Sequence, residues 1–273
     1  MEKVLKQITG NLSEWDKPEV YSASIGLIDL TTLNSTDTPS KVESMIDKVN
    51  QFQIHYPKYP SVAAVCVYPN FAKVVKNKLN NAGVKIAVVA GAFPSSQSFS
   101  EIKVAECKTA VEQGANEVDI VLALNHFLDE DYKAAFEEIQ QIKNSIGKAH
   151  LKVILETGAL KTPKLIANAS NLAIEAGADF IKTSTGKMEP AATPEAAYVM
   201  CRCIKEHYQK TGKKIGFKAA GGISTPEDAI LYYAIVETIL GKEWLSSGLF
   251  RFGASRLANN LLTKLEGKSV NYF

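Results

Sequence analysis

Two lysines occupy positions where the surrounding sequence calls for an apolar residue. Lys182 directly follows Phe180-Ile181 in "ADFIKTSTGK", and Lys218 ends a similar apolar run in "KKIGFKAAGG". Neighbouring ammonium groups repel each other, and partial removal from water also disfavours the charged form, so one amine is expected to be neutral near pH 7. A neutral lysine attacks carbonyl carbons to form a Schiff base. The alternative is a pair of lysines that extend to solvent from strand ends.

Two carboxylates interrupt apolar segments in the same way. Asp119 lies within "EVDIVLAL" and Asp29 within "IGLIDLTTLN". A buried carboxylate needs a partner, which the lysines would provide, and beside an ammonium group it can transfer protons. For Asp29 alone, a structural ion pair or a capping role is favoured. Lys152 and Glu156, on one face of "HLKVILET", are predicted to form ionic packing in the interior.

Glycine and hydroxyl residues are concentrated in three later segments, "TSTGK", "AAGGIST" and "FGASR". Backbone N–H groups at glycines and at a helix N-terminus can surround an oxyanion, which predicts a phosphate site. Each loop alone is also explained by the steric need for glycine in a turn. The predicted phosphate-binding residues are Gly186, Lys187, Gly221, Gly222, Gly253 and Ser255.

Eight short apolar runs, each followed by a segment of helical period, must position these residues. The runs are "SIGLIDL", "VAAVCVYP", "VKIAVVAG", "NEVDIVLAL", "HLKVILET", "DFIKTS", "KIGFKAA" and "LFRFGAS". Helix starts are predicted at Thr38-Pro39, Thr162-Pro163, Thr193-Pro194 and Thr225-Pro226, and helix ends at Gly83, Gly114 and Gly177.

This alternation predicts an α/β fold of the closed (β/α)8 barrel type, with a doubly wound open sheet as the alternative. In a barrel, the lysines, Asp119 and the glycine loops fall at or after the carboxyl ends of strands, where such folds carry their chemistry. We expect one domain over residues 1–273, with a short N-terminal helical extension at 1–24 and a C-terminal tail at 263–273.

Composition argues against several classes of protein. The chain has 273 residues, 46% of them apolar and 22% charged, with a net charge of +2 and no basic tract suited to nucleic acid or an anionic membrane. The N-terminus lacks the apolar core of a signal peptide, so a cytoplasmic location is expected. The four cysteines lack paired zinc-ligand spacing and are interpreted as reduced thiols, with no metal site.

The segments "IDLTTLN", "AAVCVYP", "NEVDIV", "LKVILETG", "GADFIKTSTGK", "GFKAAGGI" and "RFGAS" resemble, in order and spacing, those of the deoxyribose-phosphate aldolases. These are class I aldolases on a TIM barrel, and the resemblance extends from about Ile25 to Leu262. It implies reversible cleavage of 2-deoxy-D-ribose 5-phosphate into D-glyceraldehyde 3-phosphate and acetaldehyde. It also implies small-molecule partners, no metal or organic cofactor, and leaves a homodimer open.

By this resemblance, Lys182 matches the Schiff-base lysine, Lys218 the lysine that lowers its pKa, and Asp119 the proton-transfer carboxylate. Asp29 matches a supporting carboxylate of that network. Cys66 matches a cysteine near the barrel mouth, and Thr183 is assigned with it to substrate binding.

The chain departs from the family pattern at three places. It ends "NYF", so Tyr272 stands one residue before the end, where family members often end in a tyrosine that assists proton transfer. Ser224 replaces an arginine and Arg256 a serine in the phosphate loops. The "AGAFPSSQ" loop differs around Phe93. A Schiff-base aldolase for ketose phosphates and a barrel without turnover are the alternatives.

Overall fold

The eight predicted strands form a closed parallel barrel in the computed structural model, which describes residues 1–273. Each strand pairs with the next in sequence, and the last pairs with the first. The strands are β1 (Ile28–Thr31), β2 (Ala64–Val67), β3 (Lys85–Val89), β4 (Glu117–Val121), β5 (His150–Ile154), β6 (Phe180–Lys182), β7 (Gly216–Ala220) and β8 (Phe250–Ala254). The (β/α)8 prediction is confirmed, and the open sheet is wrong because β1 and β8 are hydrogen-bonded neighbours.

Two helices precede β1, and the others follow the strands in sequence. The helices are α1 (Glu2–Gly10), α2 (Pro18–Ile25), α3 (Pro39–His55), α4 (Ala72–Lys78), α5 (Ser100–Glu112), α6 (Leu124–Leu128), α7 (Tyr132–Ser145), α8 (Thr157–Leu160), α9 (Pro163–Glu175), α10 (Pro194–Thr211), α11 (Pro226–Leu240) and α12 (Leu257–Glu266). Short 3₁₀ turns lie at Leu12–Glu14, Pro69–Phe71 and Lys242–Trp244. None of the helices combines the length and apolar composition needed to cross a bilayer.

The predicted Thr-Pro helix starts are all present. In each case the threonine hydroxyl accepts a hydrogen bond from the backbone N–H three residues later, and the proline occupies the first turn, where its missing N–H costs nothing. The four capping residues are Thr38, Thr162, Thr193 and Thr225. Because these caps lie at the mouth end of the barrel, they fix where each loop after a strand gives way to a helix.

Two of the three predicted glycine helix ends are found. Gly114 and Gly177 have φ angles of 117° and 107°, values that residues with a Cβ rarely adopt. Gly83 is different, because α4 already ends at Lys78 and the glycine lies in the following turn without a positive φ. The prediction at Gly83 is therefore wrong.

The N-terminal segment packs against the outside of the barrel. Leu5 and Ile8 of α1 are buried in the main apolar core. The indole N–H of Trp15 donates to the Glu237 carboxylate of α11 at 2.6 Å. These contacts attach the extension to the helical layer, on the outside of the barrel.

An aromatic ring fills part of the barrel interior beside a glycine. Phe180 of β6 is 1% exposed, and its Cα is the register partner of Gly216 on β7. A Cβ built on Gly216 would lie 2.3 Å from the nearest ring carbons of Phe180. Only glycine at position 216 leaves room for this ring.

We predict that Gly216→Ala lowers the free energy of unfolding by at least about 1 to 3 kcal/mol, because the added methyl group overlaps the Phe180 ring. Chemical denaturation followed by circular dichroism measures this. Gly10→Ala is the matched control, because a Cβ at Gly10 meets nothing within 4 Å. The control should be neutral or more stable by up to about 1 kcal/mol. Equal effects of the two substitutions would contradict the steric argument.

Candidate active site

Lys182 and Lys218 lie side by side inside the barrel. Their Cα atoms are register partners on the adjacent strands β6 and β7. The Lys182 side chain is 4% exposed and that of Lys218 is completely buried. The alternative of lysines that extend to solvent is therefore wrong, and the two amines meet in the interior as the sequence predicted.

Asp119 of β4 joins the two lysines through a single carboxylate oxygen. Its Oδ2 accepts from Lys182 Nζ at 2.9 Å and from Lys218 Nζ at 2.8 Å, while Oδ1 accepts from Lys152 Nζ at 3.0 Å. Asp119, Lys152 and Lys218 are completely buried, and the Lys182 side chain is 4% exposed. The carboxylate thus lies within proton-transfer distance of both amines, as general acid–base chemistry requires.

Asp29 of β1 is a second buried carboxylate in the same group. Its Oδ2 accepts from Lys218 Nζ and its Oδ1 from Arg251 Nη1, both at 2.5 Å, and Lys152 Nζ lies 3.7 Å away. The capping role considered for Asp29 is absent. Asp29 therefore gives Lys218 a second carboxylate partner besides Asp119.

The protonation preferences of the lysines differ because their surroundings differ. Burial lowers the pKa of Lys182 below its ordinary value, and the neighbouring charge of Lys218 lowers it further, against the opposing effect of Asp119. Burial also disfavours the charge on Lys218, but Asp119 and Asp29 outweigh it and raise the pKa of that lysine. The pKa of Lys152 is likewise raised, since three carboxylates outweigh its burial. Lys182 is the member of the trio that favours the neutral amine.

The carboxylates have the opposite preference. Burial alone would raise the pKa of Asp119, but the charges of Lys152, Lys182 and Lys218 outweigh it and hold the pKa well below the usual range. The pKa of Asp29 is lowered in the same way, by Lys218, Arg251 and Lys152 against burial. Both groups are therefore anionic at neutral pH.

A cavity of about 260 Å³ opens above Lys182 at the mouth of the barrel. It reaches the loops after β1, β6, β7 and β8. All of the residues predicted to bind phosphate line it together with Lys182: Gly186, Lys187, Gly221, Gly222, Gly253 and Ser255. A Cβ on Gly221, whose φ is 89°, would lie 2.6 Å from Ala191 Cβ, so glycine is required there by close approach.

A family model described as "DeoC/LacD family aldolase" matches residues 23–250 of this chain. The chain belongs to the DeoC/LacD aldolase family. A putative deoxyribose-phosphate aldolase from Caenorhabditis elegans is 48% identical over 249 residues, which cover 88% of this chain and 80% of that protein.

Solved structures agree with this assignment. A putative deoxyribose-phosphate aldolase from Coccidioides immitis superposes with a TM-score of 0.75 at 26% identity, covering 96% of each chain. A deoxyribose phosphate aldolase from Aeropyrum pernix, described as having a unique tetrameric structure, has a TM-score of 0.69 at 24% identity, covering 94% of this chain and 96% of that one. The second likeness shows the fold alone.

The loop after β6 of this aldolase is held by Glu156. The Glu156 carboxylate accepts from the backbone N–H of Thr185 at 3.1 Å and from its hydroxyl at 2.5 Å. The Thr185 hydroxyl oxygen in turn accepts from the backbone N–H of Lys187 at 3.0 Å. Glu156 adopts a left-handed φ of 52°, a costly conformation for a residue with a side chain. This chain of contacts fixes the backbone at Gly186 and Lys187.

Glu156 therefore does not pair with Lys152, contrary to the sequence-based prediction. Lys152 is an interior ionic residue as expected, but its closest partner is Glu117, at 2.6 Å. The reason is that β5 ends at Ile154, after which the left-handed turn at Glu156 redirects that side chain to the loop beyond β6.

Two cationic side chains lie at the cavity wall. Lys187 reaches across the mouth and donates from Nζ to the Leu33 carbonyl oxygen at 2.8 Å. Arg256 immediately precedes α12, is exposed, and lines the cavity next to Ser255. Ser224 lines the same wall. Arg256 and Ser224 thus line the same cavity.

Cys66 and Thr183 lie outside the cavity. Cys66 of β2 is 1% exposed, packs with Ala64, Ala87 and Val89, and has its pKa raised by burial. The Thr183 hydroxyl donates to the Ala220 carbonyl at 2.9 Å and accepts from the Ala220 N–H at 3.0 Å. Thr183 is fully buried and stabilises the β6–β7 pairing. Because neither Thr183 nor Cys66 lines the cavity, the structure corrects the assignment of both as substrate contacts.

Tyr272 is attached to the outside of the barrel. Its hydroxyl donates to the Lys48 carbonyl of α3 at 2.7 Å, and its ring packs edge-on against Phe52 and Tyr56. The Asn259 side chain accepts from the backbone N–H groups of Tyr272 and Phe273, both at 2.9 Å. In this arrangement Tyr272 does not line the cavity above Lys182.

Sequence reasoning missed Arg251 and Glu117, which complete the interior ionic network. Arg251 Nη2 donates to Glu117 Oε1 at 2.8 Å, and both residues are almost fully buried. A signal for them existed. Glu117 stands two residues before Asp119, and Arg251 two before Gly253, so the two-residue period places each on the same inward strand face as a residue already selected.

We predict that Lys218→Leu raises the pKa of Lys182, because a neighbouring positive charge is removed and Asp119 Oδ2 is left to Lys182 alone. The midpoint of Lys182 modification by acetic anhydride, followed by mass spectrometry across pH, should move upward by more than about one unit. Lys187→Leu serves as the control and should move it less. An unchanged midpoint in Lys218→Leu would assign the lowered pKa to burial alone.

Proposed function

We propose that this chain catalyses the reversible cleavage of 2-deoxy-D-ribose 5-phosphate into D-glyceraldehyde 3-phosphate and acetaldehyde, through a Schiff base on Lys182. The observation that carries the proposal is the environment of Lys182. Among the three interior lysines it is the one with a lowered pKa, and its side chain borders the cavity. The names of the relatives from Caenorhabditis elegans and Coccidioides immitis support this substrate.

The roles of the two neighbouring lysines follow from their access and charge. The Lys182 amine can meet a carbonyl carbon in the cavity, whereas Lys218 is sealed beneath it between Asp29 and Asp119. A cation beside the nucleophile lowers the pKa of the nucleophile and so favours its neutral, reactive form. Lys218 is thus the electrostatic partner, and Lys182 the residue that forms the covalent bond.

In the proposed reaction, the neutral Lys182 amine attacks C1 of the open-chain sugar phosphate, and loss of water gives an iminium ion. Cleavage of the C2–C3 bond sends its electron pair into the iminium as the C3 hydroxyl loses its proton, releasing D-glyceraldehyde 3-phosphate. The remaining enamine is protonated at carbon, and water hydrolyses the resulting iminium to acetaldehyde and free Lys182. Asp119, hydrogen-bonded to both amines, is the proposed proton carrier with Lys218.

The phosphate of the substrate is proposed to bind among the glycine loops at the mouth. Support comes from the cavity lining, which includes the backbone of Gly186, Gly221, Gly222 and Gly253. The same cavity lies beside the start of α12. Backbone N–H groups and a helix N-terminus both favour an anion. Lys187 and Ser255 are the proposed side-chain donors, with Lys187 exchanging its bond to the Leu33 carbonyl for one to the phosphate.

Further features of the chain stay proposals. We propose that residues 1–273 act as a single domain with the 1–24 extension and the C-terminal tail, and that Asp29 supports the proton network. A cytoplasmic location is supported by four cysteines that are all free and buried. The homodimer stays a prediction, and the Aeropyrum pernix relative is described as a tetramer.

We predict that incubation with acetaldehyde and borohydride adds a two-carbon label to Lys182, because reduction traps the imine. Peptide mapping locates the label, and Lys182→Ala should abolish both labelling and turnover of deoxyribose 5-phosphate. Lys187→Ala, which removes another amine at the same cavity, should keep the label. Label found mainly on Lys218 would reverse the two roles.

Turnover assays separate the alternatives. A Schiff-base aldolase for ketose phosphates would cleave a ketose phosphate faster than deoxyribose 5-phosphate. A barrel without turnover would give no glyceraldehyde 3-phosphate from either sugar. The "IKTSTGK" and "GFKAAGG" segments favour the deoxyribose enzyme, and Lys182, Lys218 and Asp119 argue against loss of activity.

We predict that Arg256→Ala raises KM for deoxyribose 5-phosphate with little effect on unphosphorylated deoxyribose, because Arg256 restores the cation missing at Ser224. A charged hydrogen bond contributes about 1.5 to 3 kcal/mol, which corresponds to about a 10- to 150-fold change in KM. Arg202→Ala, which removes an exposed arginine paired with Glu206 on α10, is the matched control. Equal, small effects on both sugars would assign Arg256 to the surface.

A further inference from the structure

The barrel interior contains one more basic side chain than acidic ones. Seven ionisable residues are joined by contacts of 4.0 Å or less and are at most 4% exposed. We call them the interior charge cluster: Lys152, Lys182, Lys218 and Arg251 with Asp29, Glu117 and Asp119. With every group ionised, four positive charges face three negative ones. A buried net charge is unfavourable, so the cluster is best neutralised by the loss of one proton.

The contacts decide which base loses the proton. Lys152 has three carboxylate partners, Lys218 has two and Lys182 has one, Asp119. Arginine does not deprotonate in proteins. Lys182 is therefore the least compensated base that can release a proton, and the count of charges and the geometry select the same residue.

Arg251 and Glu117 belong to this count although they do not contact Lys182. Arg251 Nη1 donates to Asp29 Oδ1 at 2.5 Å and Nη2 to Glu117 Oε1 at 2.8 Å, and Glu117 Oε2 accepts from Lys152 at 2.6 Å. Neither residue forms an ion pair with Lys182. Contacts through Asp29, Lys152 and Asp119 connect them to Lys182. Their charges affect the Lys182 amine electrostatically, because the protein interior screens charges poorly.

We propose that Arg251 and Glu117 are positioning residues that maintain the protonation state of Lys182, because their opposite charges balance each other and leave Lys182 as the one base in excess of the acids in the interior charge cluster. This inference rests on the proposed function, because it concerns the same nucleophile. It assigns a role in the reaction to two residues that the substrate does not reach. It also predicts that changes at these two positions act with opposite sign.

The other ionisable groups that face Lys182 are the same in every variant considered below. Asp119, Lys218 and Lys152 approach it from β4, β7 and β5, Asp29 lies behind Lys218 on β1, and Cys66 approaches from β2. At the mouth, the remaining titratable neighbours already have polar partners: Glu156 is bound to Thr185, and Lys187 is bound to the Leu33 carbonyl.

The test is the pH midpoint of Lys182 modification by acetic anhydride in the full chain, which requires no substrate. Arg251→Met leaves three bases and three acids, so Lys182 keeps its proton and the midpoint should rise. Glu117→Gln leaves four bases and two acids, so the midpoint should fall. The double variant Arg251→Met/Glu117→Gln again has one base in excess and should return to the wild-type midpoint.

The expected size of each single shift is about one pH unit, which is what one charge on the order of 10 Å away produces at an effective dielectric constant of about 20. Arg251→Lys keeps the charge and should keep the midpoint. Lys103→Met is the matched control for breaking a buried ion pair, since Lys103 pairs with Glu138 at 2.6 Å between α5 and α7. It should leave the midpoint unchanged.

Single variants that shift the midpoint in the same direction, or a double variant that adds rather than cancels the shifts, would overturn the inference. Circular dichroism establishes that each variant is folded. If Arg251→Met does not fold, the near-isosteric Glu117→Gln decides alone, and an unchanged midpoint overturns the inference. Acetaldehyde trapping on the wild type is measured in parallel. Its absence with the shifts intact would refute the proposed function and leave the charge count standing.

Discussion

The structure depends on one buried carboxylate, Asp119, that holds three lysines from three different strands. Its two oxygens accept from Lys152, Lys182 and Lys218 at distances between 2.8 and 3.0 Å. Each of these cations would be costly to bury alone, and the carboxylate would be equally costly without them. The arrangement is stable only as a set, and only a closed barrel brings β4, β5, β6 and β7 around one point.

The barrel tolerates a charged interior because the two faces of its strands differ in polarity. Outward-facing strand residues such as Val118, Val153, Ile181 and Phe217 belong to the apolar core, where the barrel packs against its helices. The inward faces of the same strands carry the charged side chains Asp119, Lys152, Lys182 and Lys218. Because apolar burial is the dominant stabilising term in folding, the outer layer can stabilise a barrel whose centre is occupied by ion pairs. The chemistry and the stability of this aldolase thus lie on opposite faces of the same strands.

Much of the candidate site could be predicted because it is encoded by short-range patterns. Lysine at the end of an apolar run, the two-residue period of a strand, and glycine loops after three successive strands placed Lys182, Lys218 and the cavity lining. The predictions that failed depended on the local path of the chain. Glu156 leaves Lys152 because of a left-handed turn, and Thr183 pairs strands because its hydroxyl meets the Ala220 backbone.

The sequence by itself determined the order of strands and helices, the starts of the capped helices, and which residues face inward, since periodicity and capping act over a few neighbours. Tertiary structure alone decided the partners. Glu117 meets Arg251 across 134 positions of chain, and Asp29 meets Lys218 across 189. No local pattern contains such distances, because they follow from barrel closure and strand register. The excess of one basic side chain over the acidic ones in the barrel interior is therefore a property of the folded barrel.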